Sequence, residues 1–101
     1  MPIAQQSPPP PAGTPDAAVV KEWLVGYIAH LLEFDRSEVR TNVSMNRYGL
    51  DSMSAVSLTT DLGAWLDREV DPRLLYKQKT IDMLADYVAQ NHATLPPRRK
   101  K

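Results

Sequence analysis

Apolar residues in this chain recur at intervals of three and four, and no segment alternates apolar with polar. Val20, Leu24, Tyr27, Ile28 and Leu31 fall at i, i+4, i+7, i+8 and i+11, while Ile81, Leu84, Ala85 and Val88 fall at i, i+3, i+4 and i+7. Such spacing lines side chains along one stripe of a 3.6-residue helix, whereas a half-buried strand has a period of two. Between them, Ala55, Leu58, Leu62 and Leu66 project in one direction with Trp65 beside them, which predicts a core-facing helix over about 52–67. The chain is expected to be all-α.

Helix breakers and caps set the boundaries. Thr14-Pro15-Asp16 offers an N-cap, a first-turn proline and an acid favourable to the helix dipole. The first helix is therefore expected to start there, capped by Thr14, and to end near residues 32–34, with Trp23 on its flank. Glu69-Val70-Asp71-Pro72 interrupts the second helix, Arg73-Leu74-Leu75-Tyr76 can form a short third, and Thr80 caps a fourth. The connection from Asp35 to Asp51 carries Val39, Val43, Met45, Tyr48 and Leu50, so it is expected to be pinned to the core, with a helical turn at Ser37-Glu38-Val39. This predicts a small four-helix bundle: three main helices, a short third one and a long first loop.

The ends differ from the middle. Six of the nine prolines lie in residues 1–15, where Ser7-Pro8-Pro9-Pro10-Pro11 reads as an extended tether. The expected organisation is a Pro-rich disordered tail over 1–15, a folded domain over 16–92 and a basic disordered tail over 93–101. Without Arg98, Arg99, Lys100 and Lys101, eight basic residues face twelve acidic ones, a net of −4. A mildly acidic body argues against nucleic acid as the main partner, because phosphate binding needs clustered basic surface. No apolar run approaches the ~20 residues of a membrane span, and no signal segment opens the chain. The absence of cysteine excludes disulfides, thiolate metal sites and a cysteine nucleophile. A discrete, monomeric, cytoplasmic protein without a metal is expected.

The segment Gly49-Leu50-Asp51-Ser52-Met53 sets a serine at the start of the second helix. Its hydroxyl lies beside unpaired backbone N–H groups and the positive end of the dipole, where an added phosphate would be stabilised. Asp51 or Ser52 can also simply cap the helix. On the same helix Met53, Val56, Thr60 and Gly63 form a second stripe, about 140° from the core stripe. It is small or apolar and uncharged, which suits a docking face if exposed; the alternative is that Met53 and Val56 pack under the long loop. No Gly-x-Ser-x-Gly elbow is present, and neither His30 nor His92 pairs with a serine at a known triad spacing. A nucleophilic Ser52 is therefore disfavoured.

Across Tyr48-Gly49-Leu50-Asp51-Ser52-Met53-Ser54-Ala55-Val56 the chain resembles the acyl carrier proteins and carrier domains of fatty acid and polyketide synthesis. Those share a Gly-Leu-Asp-Ser-Leu-x-x-Val pattern, and Met53 here replaces leucine. The resemblance covers about Val19 to Ala89 and includes the loop from Asp35 to Val43, Arg73-Leu74-Leu75-Tyr76, Thr80-Ile81 and Leu84-Ala85. It implies a carrier and not an enzyme. A phosphopantetheinyl transferase would move 4′-phosphopantetheine from coenzyme A to Ser52, with Asp51 presenting the serine and Leu50 and Met53 beside the arm. Acyl groups would then ride as thioesters between a loading enzyme (an acyltransferase or acyl-adenylating ligase) and a ketosynthase or other acyl-processing enzyme.

Leu50, where peptidyl carriers have a second glycine, makes the resemblance polyketide-like. Ser57 and Gly63 stand where fatty acid carriers are often acidic, so docking is expected to rest on Met53, Val56, Thr60 and Gly63, extended by Arg73 and Lys77. Lys77 and Lys79 depart from the family pattern. Two alternatives stay open: a peptidyl or aryl carrier of a nonribosomal pathway, and an unmodified carrier-like interaction module.

Overall fold

The computed structural model describes residues 15–97. The expected cap Thr14, the Pro-rich segment and the four terminal basic residues lie outside them. Four helices follow in order: α1 (Ala17–Leu32), α2 (Ser52–Leu66), α3 (Leu74–Lys77) and α4 (Ile81–Asn91), with 3-10 turns at Arg36–Glu38, Met45–Tyr48 and His92–Thr94. No strand occurs among the described residues.

The core is the meeting of three apolar stripes. Val20, Leu24 and Ile28 of α1, Leu58 and Leu62 of α2, and Ile81, Leu84, Ala85 and Val88 of α4 are fully buried. Each such leucine or isoleucine contributes about 1.5–3 kcal/mol by leaving water, so these stripes are the main drive for docking the helices. Ala55 and Leu66 complete the α2 stripe as expected. Leu31 does not follow its stripe and remains 39% exposed. The buried face of α1 instead runs along the i+4 ridge from Val20 through Leu24 and Ile28 to Leu32, which is inclined to the helix axis. Trp23 is also buried, not at the rim, where it stacks between Tyr27 at 5.0 Å and Trp65 at 5.7 Å.

Helix α1 starts at Ala17 with Asp16 as N-cap, and closes where Glu33 turns left-handed and the Phe34 N–H reaches the Ala29 carbonyl at 2.8 Å. The long loop is then fastened step by step. Its first turn lies one residue earlier than expected, at Arg36–Glu38, because Asp35 and Glu38 cap each other reciprocally. Tyr48 Oη accepts the Arg40 N–H at 2.6 Å and donates to the Arg40 carbonyl at 3.1 Å, with its ring edge-on to Phe34. Val39 and Met45 are buried. The Met45 N–H binds the Lys79 carbonyl at 2.8 Å and the Asp82 N–H binds the Thr41 carbonyl at 2.9 Å, tying the loop to the start of α4.

The packed region runs past the expected boundary at 92. The Glu69 N–H donates to the Pro96 carbonyl at 2.8 Å and Arg68 Nη1 to the Leu95 carbonyl at 3.2 Å. Backbone bonding thus draws residues 93–97 back across the α2–α3 connection, so they belong to the fold.

Candidate functional site

Ser52 opens α2 and is exposed, and three local features put it there. Gly49 ends the Met45–Tyr48 turn at φ +76°, a left-handed conformation that side chains rarely adopt. Leu50, half-buried, packs against the core and anchors the segment. Asp51 is the N-cap, its Oδ1 accepting the Ser54 N–H at 2.9 Å. That bond holds the Asp51 carboxyl below the usual carboxylate range. Of the two capping candidates, the cap is Asp51, so the Ser52 hydroxyl is not committed to that task. The first N–H groups of α2 and the dipole make this end favourable to an anion.

A cavity of about 160 Å³ adjoins Ser52. The loop contributes Ser44, Met45, Asn46 and Leu50, helix α2 contributes Ala55, and the far wall is Leu75, Tyr76 and Lys79. Polar and apolar side chains share its lining. Its charged lining consists of Asp51 and Lys79. An exposed hydroxyl at an anion-favouring helix end fits a phosphate ester on Ser52. Leu75, Tyr76 and Lys79 enter the site through the non-local Met45–Lys79 pairing, and no local sequence pattern marks them.

Three residues of the expected docking stripe lie on the surface. Met53 is 78% and Val56 49% exposed, and Thr60 is open to solvent. Gly63 is not on that surface. It is buried, and a Cβ there would lie 2.5 Å from the Arg68 carbonyl oxygen. The chain leaving α2 folds back over Gly63, which a helical projection cannot show. Arg73 and Lys77 are exposed but do not line the Ser52 cavity. Arg73 Nη2 binds Asp71 Oδ2 at 2.8 Å, which holds the Asp71 carboxyl down at about 2, and Lys77 shares a separate groove with Asp71, Leu74 and Tyr87. No group of three or more metal-ligating side chains occurs among the described residues.

A helical bundle that offers an exposed serine at the head of its second helix, beside a small, partly apolar cavity, is the architecture of a carrier protein. Residues 22–88 match the model of the phosphopantetheine attachment site, and the chain belongs to that family. It is 32% identical over 70 residues to the acyl carrier protein TtuC of Teredinibacter turnerae, covering 69% of this chain and 80% of that one. It is 30% identical over 87 residues to the polyketide synthase ThaG of Burkholderia thailandensis, covering 81% of this chain and 2% of the synthase. Among solved structures, an acyl carrier protein from Anabaena with a variant phosphopantetheinylation-site sequence superposes with a TM-score of 0.74 at 27% identity, over 83% of this chain and 91% of that one. A free-standing peptidyl carrier protein from Acinetobacter baumannii gives 0.72 at 27% identity, over 76% and 96%. The chain is thus an acyl carrier protein related to polyketide synthase carriers. Its prosthetic group is covalent 4′-phosphopantetheine.

Proposed function

We propose that Ser52 is the attachment point and that the loaded carrier serves polyketide or related secondary-metabolite synthesis. The single observation that carries this is the exposed, uncommitted Ser52 hydroxyl at the head of α2, with the neighbouring Asp51 acting as cap. In a phosphopantetheinyl transferase, with Mg²⁺ held by that enzyme, the Ser52 Oγ attacks the pantetheine-side phosphorus of coenzyme A. The Oγ–P bond forms, the pyrophosphate P–O bond breaks, adenosine bisphosphate leaves, and the serine proton passes to a base of the transferase. The installed arm supplies a thiol on which acyl groups are held as thioesters. What this chain does is present Ser52 on a rigid helix end, with Leu50 and Met53 flanking the root of the arm.

Met53, Val56 and Thr60 form the surface on which the transferase, a loading enzyme and a ketosynthase or other acyl-processing enzyme dock in turn. The α2 helix carries Asp61 as its sole charged residue from Ser52 to Leu66, so apolar contact outweighs charge in that recognition. The reading places the carrier in the cytoplasm, with its coenzyme A supply, as a monomer. The likeness to a peptidyl carrier supports a second reading in which an adenylating enzyme loads an amino acid. Incubation with coenzyme A, Mg²⁺ and a broad-specificity transferase, followed by intact mass and peptide mapping, tests the assignment. A gain of one phosphopantetheine on Ser52 is expected, and unmodified folded protein would refute it. Offering the modified carrier to acyl- and amino-acid-loading enzymes then separates the two readings.

A further inference from the structure

The cavity beside Ser52 holds one cation that the carrier reading does not use. Lys79 lines it together with Ser44, Asn46, Asp51 and Ser52. Its main chain is fixed from two sides: the Lys79 carbonyl accepts the Met45 N–H at 2.8 Å, and Thr80 pairs with Ser44 in an antiparallel bridge. The lysine is therefore kept beside the cavity by backbone bonds and not by its own side chain, which is exposed. Three other cations of the fold are paired elsewhere: Lys21 with Asp82, Arg36 with Glu22 and Arg73 with Asp71. Lys77, two residues away, faces the groove on the other side of α3 with Asp71. Lys79 forms no ion pair within 4.0 Å among the described residues.

The geometry points to Lys79 as the cation that holds the phosphodiester on Ser52, fixing the root of the arm against the α3 side of the cavity. This rests on Ser52 being the attachment point. A phosphodiester there brings a second negative charge beside Asp51, and Lys79 is the one positive side chain lining the same cavity. The helix end alone would favour the anion without directing it. A lysine on one wall gives the arm a preferred exit, toward Leu75 and Tyr76.

The test compares apo and holo protein, each verified by intact mass, with the lysine ε-methylene groups labelled for NMR. At low salt the Lys79 ε-methylene resonance is expected to move on modification, while that of Lys77 stays in place. The phosphorus resonance of holo protein should shift in Lys79→Gln and return in Lys79→Arg. If wild-type protein gains no mass, the Ser52 assignment falls and this proposal with it. If the mass is gained and the Lys79 resonance is the same in both forms, Lys79 is not the partner and the carrier reading stands. Should Lys79→Gln fail to fold, the wild-type comparison decides alone.

Discussion

At Gly49 the backbone turns through φ +76° with nothing within 4 Å of where a Cβ would stand, whereas at Gly63 a Cβ would meet the Arg68 carbonyl oxygen at 2.5 Å. The two glycines are therefore needed for different reasons. Gly49→Ala pays only for the left-handed conformation, about 1 kcal/mol. Gly63→Ala gains about 1 kcal/mol of helix propensity but must push back a backbone carbonyl, at roughly 1–3 kcal/mol. The clash is expected to win, with urea unfolding showing a lower midpoint for Gly63→Ala than for wild type. A neutral Gly63→Ala would mean that the Arg68 turn yields freely. At Ser52 the effects separate again. Ser52→Ala removes the hydroxyl but leaves the Asp51 cap, so attachment should vanish by mass while far-UV circular dichroism stays unchanged.

Among the elements, α2 carries both the core and the proposed docking face, and exposure tells them apart. Val56 is half-exposed while Leu58 and Leu62 are fully buried. Val56→Asp should keep the melting profile and slow the transferase or a downstream enzyme, visible as a higher KM for the carrier. Leu62→Ala should cost about 2–5 kcal/mol and affect function only through unfolding. At α4, Thr80 accepts the Met83 N–H at 3.0 Å, and Thr80→Ala should cost about 1 kcal/mol in denaturant titration. The helices and the caps of α2 and α4 are legible because they follow from local spacing, as with Asp51 before Ser52 and Thr80 before Ile81, whereas α1 is capped at Asp16, two residues past the expected Thr14. What was not legible is what passes over a helix. Leu31 lost its place to the tilted ridge ending at Leu32, Gly63 lost its exposure to the returning chain, and Lys79 joined the Ser52 cavity through a bond to Met45, 34 residues away by sequence number.

For the molecule as a whole, stability should hold a plateau between about pH 5 and pH 9 and fall at both ends, for opposite reasons. On the acid side, Asp51, Asp71 and Asp82 are held below the ordinary carboxylate range by the Ser54 N–H, by Arg73 and by Lys21 respectively. A carboxyl depressed on folding stabilises above its unfolded pKa, near 4, and loses that contribution as pH falls through the folded value, about 2 for Asp71. Asp51 and Asp71 are exposed and Asp82 is partly buried, so the loss should be gradual and weakened by salt. On the alkaline side, Lys21 is raised by Asp82, and Tyr27 is raised by burial and by donating to Asp61 Oδ2 at 2.7 Å. Groups raised on folding stabilise below their unfolded pKa, near 10, and lose that contribution as pH climbs through the folded value. Tyr27 links α1 to α2 and Lys21 links α1 to α4, so alkaline loosening should begin around α1, whereas acid acts at the head of α2, at the α2–α3 connection and at the start of α4. Melting temperature followed across pH, with Tyr27→Phe as the control, checks this. Tyr27→Phe should flatten the alkaline limb and leave the acid limb in place; an unchanged alkaline limb would remove Tyr27 from the account and leave Lys21 to carry it.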